Sequence, residues 1–491
     1  MVRDKLHKNR GKSIFVFGVW KNVLQKKTKS VDIRNFRDKI LISLLSYSQI
    51  YKNGGNRMDA VSVKKVALLG MGTVGSGVYE ILEKQKQNMT DKIGCTLEIV
   101  KVLVRNKEKY AQKVPAEKLT DQWSDIIEDD SIDIVVEVMG GIEPAKTYIQ
   151  EALEKGKHVV TANKDLMATH GHELLDQAKA HQCDLLFEAA VAGGIPIIRP
   201  MKQCLLGNDI TEVMGIINGT TNFILTKMSE EEMEFEDALR LATDLGYAEA
   251  DPTADIEGYD AGRKLAILAS IAFHSPVTFQ DVYTEGISKI TAKDIRYAHE
   301  LGYEIKLLGI AKLVEDGIEV KVHPTMIPLH HPLASVKDAF NAVFVHGDAV
   351  DDAMFYGRGA GALPTGSAVV GDIMDIARNM QYHCTGRIGC SCYRKIPVKV
   401  MKETKSSYYI RMKLEDRAGT LAALAGLFGS NNVSISMLIQ KAKEGNTAEV
   451  VIVTYDVKEK QFMDSMTVIS TMSMVKEISS VIRVHHVEKE E

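Results

Sequence analysis

Acids and a lysine crowd one sixteen-residue stretch, Glu249-Ala-Asp251-Pro252-Thr253-Ala-Asp255-Ile-Glu257-Gly258-Tyr259-Asp260-Ala-Gly-Arg263-Lys264. Asp260 and Lys264 stand four apart, so on a helix they share one face, acid N-terminal to base. A lysine held beside a carboxylate can hand a proton to an oxygen that is gaining charge. Asp251 before Pro252 reads as an N-cap with proline at the first helical position. From Leu265 to Phe273 the chain is almost wholly apolar. The pattern predicts one helix, charged where it starts and buried where it ends. A capped surface helix with solvated charges would share this pattern, and the rest of the chain discriminates between the two.

A length of 491 residues, 45% apolar and 26% charged, suits two to four domains with sizeable cores. A formal net charge of -4 gives no general attraction to nucleic acid. No apolar run is long enough for a membrane span. Six cysteines are too few for a disulfide scaffold and fit a reducing, cytoplasmic setting. Cys384, Cys390 and Cys392 cluster near His383. Without a paired C-x2-C spacing they read as reduced linker thiols rather than a metal site.

Residues 1–57 carry fourteen lysines and arginines against three acids and lack a signal-peptide pattern. A targeting or membrane-surface arm is one reading. The other takes Gly54-Gly55 as a translated ribosome-binding site, with synthesis starting at Met58. On either reading this segment is expected to be poorly packed.

Beyond it, Val66-Ala67-Leu68-Leu69 reads as a strand, running into Gly70-Met71-Gly72-Thr73-Val74-Gly75 and then a helix. In that setting G-x-G-x-x-G is a dinucleotide-binding turn. The first glycine allows the turn, the second admits a pyrophosphate, and the third lets the helix pack on the strand. Oriented N–H groups at the helix start, from Thr73 and Val74 onward, face the phosphates. The second strand ends in Arg105-Asn106-Lys107. Cations at that place suit the 2′-phosphate of NADP, where NAD selectivity would call for an acid. NAD remains an alternative. Thr161-Ala162-Asn163-Lys164 leaves a later strand at its carboxyl end, where cofactor and substrate should meet. Glu188 and the following turn, with Gly193-Gly194, could hold a hard monovalent cation on exposed carbonyls.

The middle of the chain reads as α+β. Its strand at Ile210–Ile217 ends in Asn218-Gly219-Thr220-Thr221-Asn222, a turn suited to gripping a carboxylate, and a charged helix is expected over Glu230–Leu245. The glycine loop ending at Gly361 offers a second contact to the cofactor. Residues 379–405 read as a linker, and 406–491 as βαββαβ, a ferredoxin-like regulatory module. Asp416, Gly419 and Thr420, at its first strand–helix junction, could cap a small amino acid.

On Gly70–Gly75, Thr161–Lys164, Glu188–Pro196, Asn218–Asn222 and above all Glu249–Lys264, the chain from Met58 onward resembles homoserine dehydrogenase of the monofunctional form with a C-terminal ACT domain. The resemblance implies an α/β architecture: a Rossmann domain over 58–195, a catalytic and dimerisation domain over 196–378, and an ACT domain over 406–491. It implies reversible reduction of L-aspartate 4-semialdehyde to L-homoserine with NAD(P)H, in the biosynthesis of threonine, methionine and isoleucine. It places sodium or a similar cation near Glu188 and the Val191, Gly193 and Ile195 carbonyls. Proton transfer falls to Lys264, with Lys164 and Asp260 beside the reacting oxygen. Lys164 would lower the pKa of its neighbour lysine by like-charge repulsion. Glu249 and Asp255 suit the substrate ammonium, and Gly219 with Thr220 its carboxylate. A dimer or tetramer and a threonine effector are expected. Two other readings stay open: another Rossmann dehydrogenase of an amino-acid-derived carbonyl, and a non-catalytic ACT-type amino-acid sensor. A fused kinase is disfavoured, because the N-terminal segment is too short for one.

Overall fold

The computed structural model describes residues 62–486, so the basic segment 1–57 lies outside the described residues. Six parallel strands form the first sheet: β1 (Val63–Leu69), β2 (Thr96–Leu103), β3 (Leu119–Thr120), β4 (Ile134–Glu137), β5 (His158–Thr161) and β6 (Leu185–Leu186). Their order is 3-2-1-4-5-6. β1 and β4 bury every residue of their shared register, as a sheet with helices on both faces requires. The order reverses between β1 and β4, which opens the crevice where such sheets bind ligands.

Three helices set the geometry of that crevice: α1 (Thr73–Lys84), α2 (Ala145–Glu154) and α3 (Lys164–Ala180). α1 starts at the glycine loop. A Cβ on Gly75 would stand 2.2 Å from the Gly70 carbonyl oxygen, so only glycine lets the helix seat on the strand. Gly72 has nothing within 4 Å, which leaves open space where a pyrophosphate would lie.

The second sheet is built on β7 (Ile210–Ile216), β8 (Tyr303–Val314), β9 (Gly317–Pro328), β10 (Phe340–Gly347) and β11 (Asp351–Arg358). It carries α4 (Gly219–Glu230), α5 (Phe235–Asp244), α6 (Thr253–Ile256), α7 (Tyr259–Ala272) and α8 (Ala292–Glu300). The helix expected over Glu230–Leu245 is α5, which starts five residues later at Phe235. α4 begins directly after Asn218. The single helix expected from Pro252 is two, because Gly258 takes a left-handed conformation (φ +80°) between α6 and α7. Pro252 caps α6 rather than opening it, and Asp251 accepts from the Thr253 N–H at 3.1 Å.

α9 (Ala362–Gln381) returns to the first domain and crosses α1. The crossing is close: a Cβ on Gly77 would stand 1.9 Å from the Ala362 carbonyl oxygen. The C-terminal module is β12 (Lys405–Glu415), α10 (Thr420–Ser430), β13 (Ile435–Glu444), β14 (Thr447–Thr454), α11 (Glu459–Ile469) and β15 (Val475–Val484). This is the expected βαββαβ, and it does not hang free. β15 pairs in parallel with β9, Thr325 against Arg483 and Met326 against Val484. The strands from β11 through β7 and β9 to β13 thus form one sheet of eleven strands, two of them short flanking ones. Buried ion pairs fasten the seam. Arg411 reaches Asp294 at 2.7 Å and Glu449 at 3.3 Å, and Arg483 reaches Glu285 at 2.5 Å and Glu459 at 2.8 Å.

The Gly77 contact yields a paired test of packing. Gly77→Ala must force α1 from α9 and should lower stability by about 1–3 kcal/mol. Gly371→Ala, in α9 with nothing within 4 Å of its added methyl, should be neutral or stabilising by up to about 1 kcal/mol. Urea midpoints of the two variants check this.

Candidate active site

Three loops deliver the reactive groups. Lys164 is the first residue of α3, set there by Asn163, whose side chain caps the helix by accepting from the Leu166 N–H at 3.1 Å. The Asn163 amide also donates to the Gly141 carbonyl at 2.6 Å, tying the β5 exit to the β4 exit. Asp260 and Lys264 occupy the first turns of α7. Asn218 caps α4 by accepting from the Thr221 N–H at 2.9 Å.

Asp260 joins these groups. It is buried, and its two oxygens face opposite cations: Oδ1 lies 3.1 Å from Lys164 Nζ, and Oδ2 accepts from Lys264 Nζ at 2.6 Å. Asn218 Nδ2 donates to Asp260 Oδ2 at 2.9 Å and to Asp255 Oδ1 at 2.6 Å. Lys264 also donates to the Ile217 carbonyl at 2.8 Å, which leaves one of its three donors uncommitted. Burial alone would raise the Asp260 pKa, but the Lys264 and Lys164 ammonium groups outweigh it and hold the carboxyl well below the usual carboxylate range. Burial and the charge of Asp260 raise the Asp255 pKa.

The expected lysine pair is therefore a lysine–aspartate–lysine bridge. Burial works against the charge on Lys164, yet Asp260, Asp165 and Asp255 carry its pKa above the ordinary lysine value. The shared carboxylate stands between the two ammonium groups and screens their repulsion. Asp260 and Lys264 are in direct contact, with no room for a water between them at 2.6 Å. Arg263, read as solvated, pairs with Asp165 at 2.8 Å and lies over the Phe279 ring.

The other predicted residues divide. Asp255 is brought to the cluster by Asn218. Glu249 is exposed in the loop before α6, with no hydrogen bond or ion pair recorded among the described residues. Gly219 and Thr220 are the first residues of α4, so their backbone N–H groups face outward from a helix N-terminus. The Thr220 hydroxyl is already committed to the Tyr247 carbonyl at 2.7 Å. Thr161 is fully buried, and its hydroxyl donates to Glu137 at 2.6 Å. Glu137 itself gathers the Met139 and Gly140 N–H groups and so shapes the loop opposite Gly70. Neither Asn218 nor Glu137 had been singled out as a site residue. The Asn218 signal was there: asparagine before Gly-Thr-Thr is an N-cap pattern.

At the cofactor crevice, Arg105 is exposed after β2 with no ion pair recorded among the described residues, whereas Lys107 pairs with Asp121 at 2.9 Å. Gly361 caps α9 alongside α1. The Glu188 carboxylate does not face the Gly193 turn. It accepts from the Ile197, Ile198 and Arg199 N–H groups at 2.6, 2.8 and 2.7 Å. Among the described residues the carbonyls of Val191, Gly193 and Ile195 accept no backbone hydrogen bond. In the C-terminal module Gly419 (φ +88°) caps α10, the Thr420 hydroxyl donates to the Glu415 carbonyl, and the Asp416 N–H bonds Asn446.

A nucleotide-binding turn, a 3-2-1-4-5-6 parallel sheet and a lysine–carboxylate centre at its carboxyl edge define a nicotinamide-nucleotide-dependent oxidoreductase. Family models match in three consecutive pieces: the NAD-binding domain of homoserine dehydrogenase over residues 70–188, homoserine dehydrogenase over 196–374, and the ACT domain over 408–462. The homoserine dehydrogenase of Bacillus subtilis is 45% identical over 423 residues, 86% of this chain and 98% of its own length. That of Corynebacterium glutamicum is 46% identical over 423 residues, 85% and 95% of the respective chains. A solved homoserine dehydrogenase from Thiobacillus denitrificans superposes with a TM-score of 0.83 at 42% identity, covering 87% of this chain and 99% of its own. A hyperthermophilic archaeal homoserine dehydrogenase in complex with NADPH matches at a TM-score of 0.55 and 27% identity, over 64% of this chain and 97% of its own. The chain belongs to the homoserine dehydrogenase family, NAD(P)-dependent oxidoreductases acting on a CH–OH group. Neither the general amino-acid-carbonyl dehydrogenase nor the non-catalytic sensor is supported.

The bridge sets a pH test. Asp260→Asn removes the charge that raises the Lys164 pKa, so the alkaline limb of kcat/KM should move to lower pH, with kcat reduced about 10²-fold. Rate profiles across neutral and alkaline pH read both effects; an unmoved limb would assign it to another group.

Proposed function

We propose that this chain interconverts L-aspartate 4-semialdehyde and L-homoserine at the Lys164–Asp260–Lys264 centre. The observation that carries the assignment is one buried carboxylate shared by two lysines from different elements, at the edge of a nucleotide-binding sheet. When bound, the reduced nicotinamide supplies the hydride. Lys264, with one donor uncommitted, delivers the proton to the developing alkoxide, and Lys164 adds a second positive charge against it. Asp260 and Asn218 fix both lysines, so the oxyanion meets oriented donors rather than mobile ones. The N–H groups of Gly219 and Thr220 receive the substrate carboxylate. Asp255, and Glu249 if its loop closes over the substrate, receive the ammonium.

NADP is the proposed coenzyme, supported by exposed Arg105 after β2 and by the absence of an acid at that strand end; NAD is the alternative. A monovalent cation, sodium or similar, would sit on the carbonyls of Val191, Gly193 and Ile195 and brace the turn between the two domains. Threonine is the proposed effector at Asp416–Thr420. A dimer or tetramer fits the exposed apolar residues of two sheet-end strands, Met354 and Tyr356 on β11 and Met437 on β13. The six unpaired cysteines suit a reducing cytoplasm. The product would feed the threonine, methionine and isoleucine routes.

Lys264→Ala should lower kcat by about 10²-fold or more, the scale for losing a general acid. Arg105→Ala should raise KM for NADPH more than for NADH. Initial rates with aspartate semialdehyde and each coenzyme, with and without threonine, check the reaction, the coenzyme and the effector together. A Lys264→Ala variant with near-normal kcat would take that lysine out of the mechanism.

A further inference from the structure

A second polar cluster lies two turns beyond Lys164 on α3, away from the reaction centre. His172 and Asp176 stand four apart on that helix, with His172 Nδ1 3.7 Å from Asp176 Oδ2. The chain segment between α9 and β12 brings Cys390 across, its Sγ 3.3 Å from the same His172 nitrogen. The three ligand atoms lie within 4.8 Å of one another. Cys392 follows two residues later. Its N–H donates to Cys390 Sγ at 3.4 Å, and its own thiol donates to the Ser270 carbonyl at 3.6 Å. The group borders a cavity of about 70 Å³ between α3, α7 and this segment.

These spacings match a metal's coordination shell. Bonds of about 2.3 Å to sulfur and about 2.0–2.2 Å to nitrogen and oxygen give tetrahedral edges of roughly 3.3–3.8 Å. The His172–Cys390 and His172–Asp176 separations already fall in that range. Residues i and i+4 on a helix make a rigid two-point chelate, and two sulfurs with an imidazole and a carboxylate favour a borderline-soft ion. Sequence spacing alone could not show this, because the histidine and the aspartate lie more than two hundred residues before the cysteines. The Lys202 ammonium donates to the Gly389 carbonyl at 2.9 Å and so holds the backbone beside Cys390 in place. The Cys392 thiol proton, which bonds the Ser270 carbonyl, is displaced when the ion binds.

We propose that His172, Asp176, Cys390 and Cys392 form a structural site for a divalent cation of the zinc class, which staples the 382–404 segment to α3. Binding forms two metal–sulfur bonds and releases the two thiol protons to solvent. The site takes no part in hydride transfer.

The test uses the full chain, reduced and stripped with a chelator, then titrated with Co2+. One ion per chain is expected, with a thiolate-to-cobalt charge-transfer band and the visible bands of tetrahedral cobalt, both abolished by added Zn2+. Cys390→Ser and His172→Ala should lose the charge-transfer band, while Cys384→Ser, whose thiol faces Asn379, should keep it. Asp176→Asn changes an exposed helix position and should weaken Zn2+ binding about tenfold or more without disturbing the circular dichroism spectrum, which keeps the test open if a cysteine variant misfolds. A wild-type chain with no charge-transfer band overturns the proposal, as does a band that survives in both Cys390→Ser and His172→Ala.

Discussion

The constraint on which the site depends is the burial of Asp260. A carboxylate enclosed by protein is costly unless cations and donors surround it. Here Lys264, Lys164 and Asn218 do so, and each comes from a different element. The charge therefore acts as a three-way tie between the end of β7, the start of α3 and the start of α7. A weaker tie would leave two ammonium groups free to repel one another. Oriented donors cost no reorganisation when a substrate oxygen becomes negative, so the interaction that closes the fold at this point is also the one that readies it for chemistry.

The same economy shapes the backbone around it. Gly75 and Gly77 let α1 lie against β1 on one side and α9 on the other. Gly258 breaks what would have been one helix, so that Asp255 and Asp260 can both reach the Asn218 amide. A continuous helix would carry the two acids, five residues apart, onto diverging faces.

Much of this was legible in the sequence, and the rest was not for identifiable reasons. The glycine turn, the parallel strands and the βαββαβ pattern follow from local periodicity and turn chemistry, and Asp260 with Lys264 follows from helical spacing. That Asp260 bridges both lysines was not legible, because Lys164 and Lys264 lie a hundred positions apart and only the fold places one carboxylate between them. Glu188 seemed aimed at the glycine turn by proximity in sequence. Only the fold reveals that three N–H groups from 197–199 claim its carboxylate. The α4 start was hidden because Asn218–Asn222 reads equally well as a turn, and the seam between β9 and β15 joins segments that share no local signal.

That seam bears on how a signal could cross the molecule. Arg483 of β15 grips Glu285, whose neighbour Gly286 lies so close to Ile256 and Glu257 that an added Cβ would stand 2.2 Å from the Ile256 carbonyl oxygen. Ile287 then donates to that same carbonyl at 2.8 Å. Two modules stitched into one sheet are tied to each other by strand pairing as well as by the chain that links them. A shift of β15 would therefore press on the Asp255–Asp260 turn through a short run of close contacts.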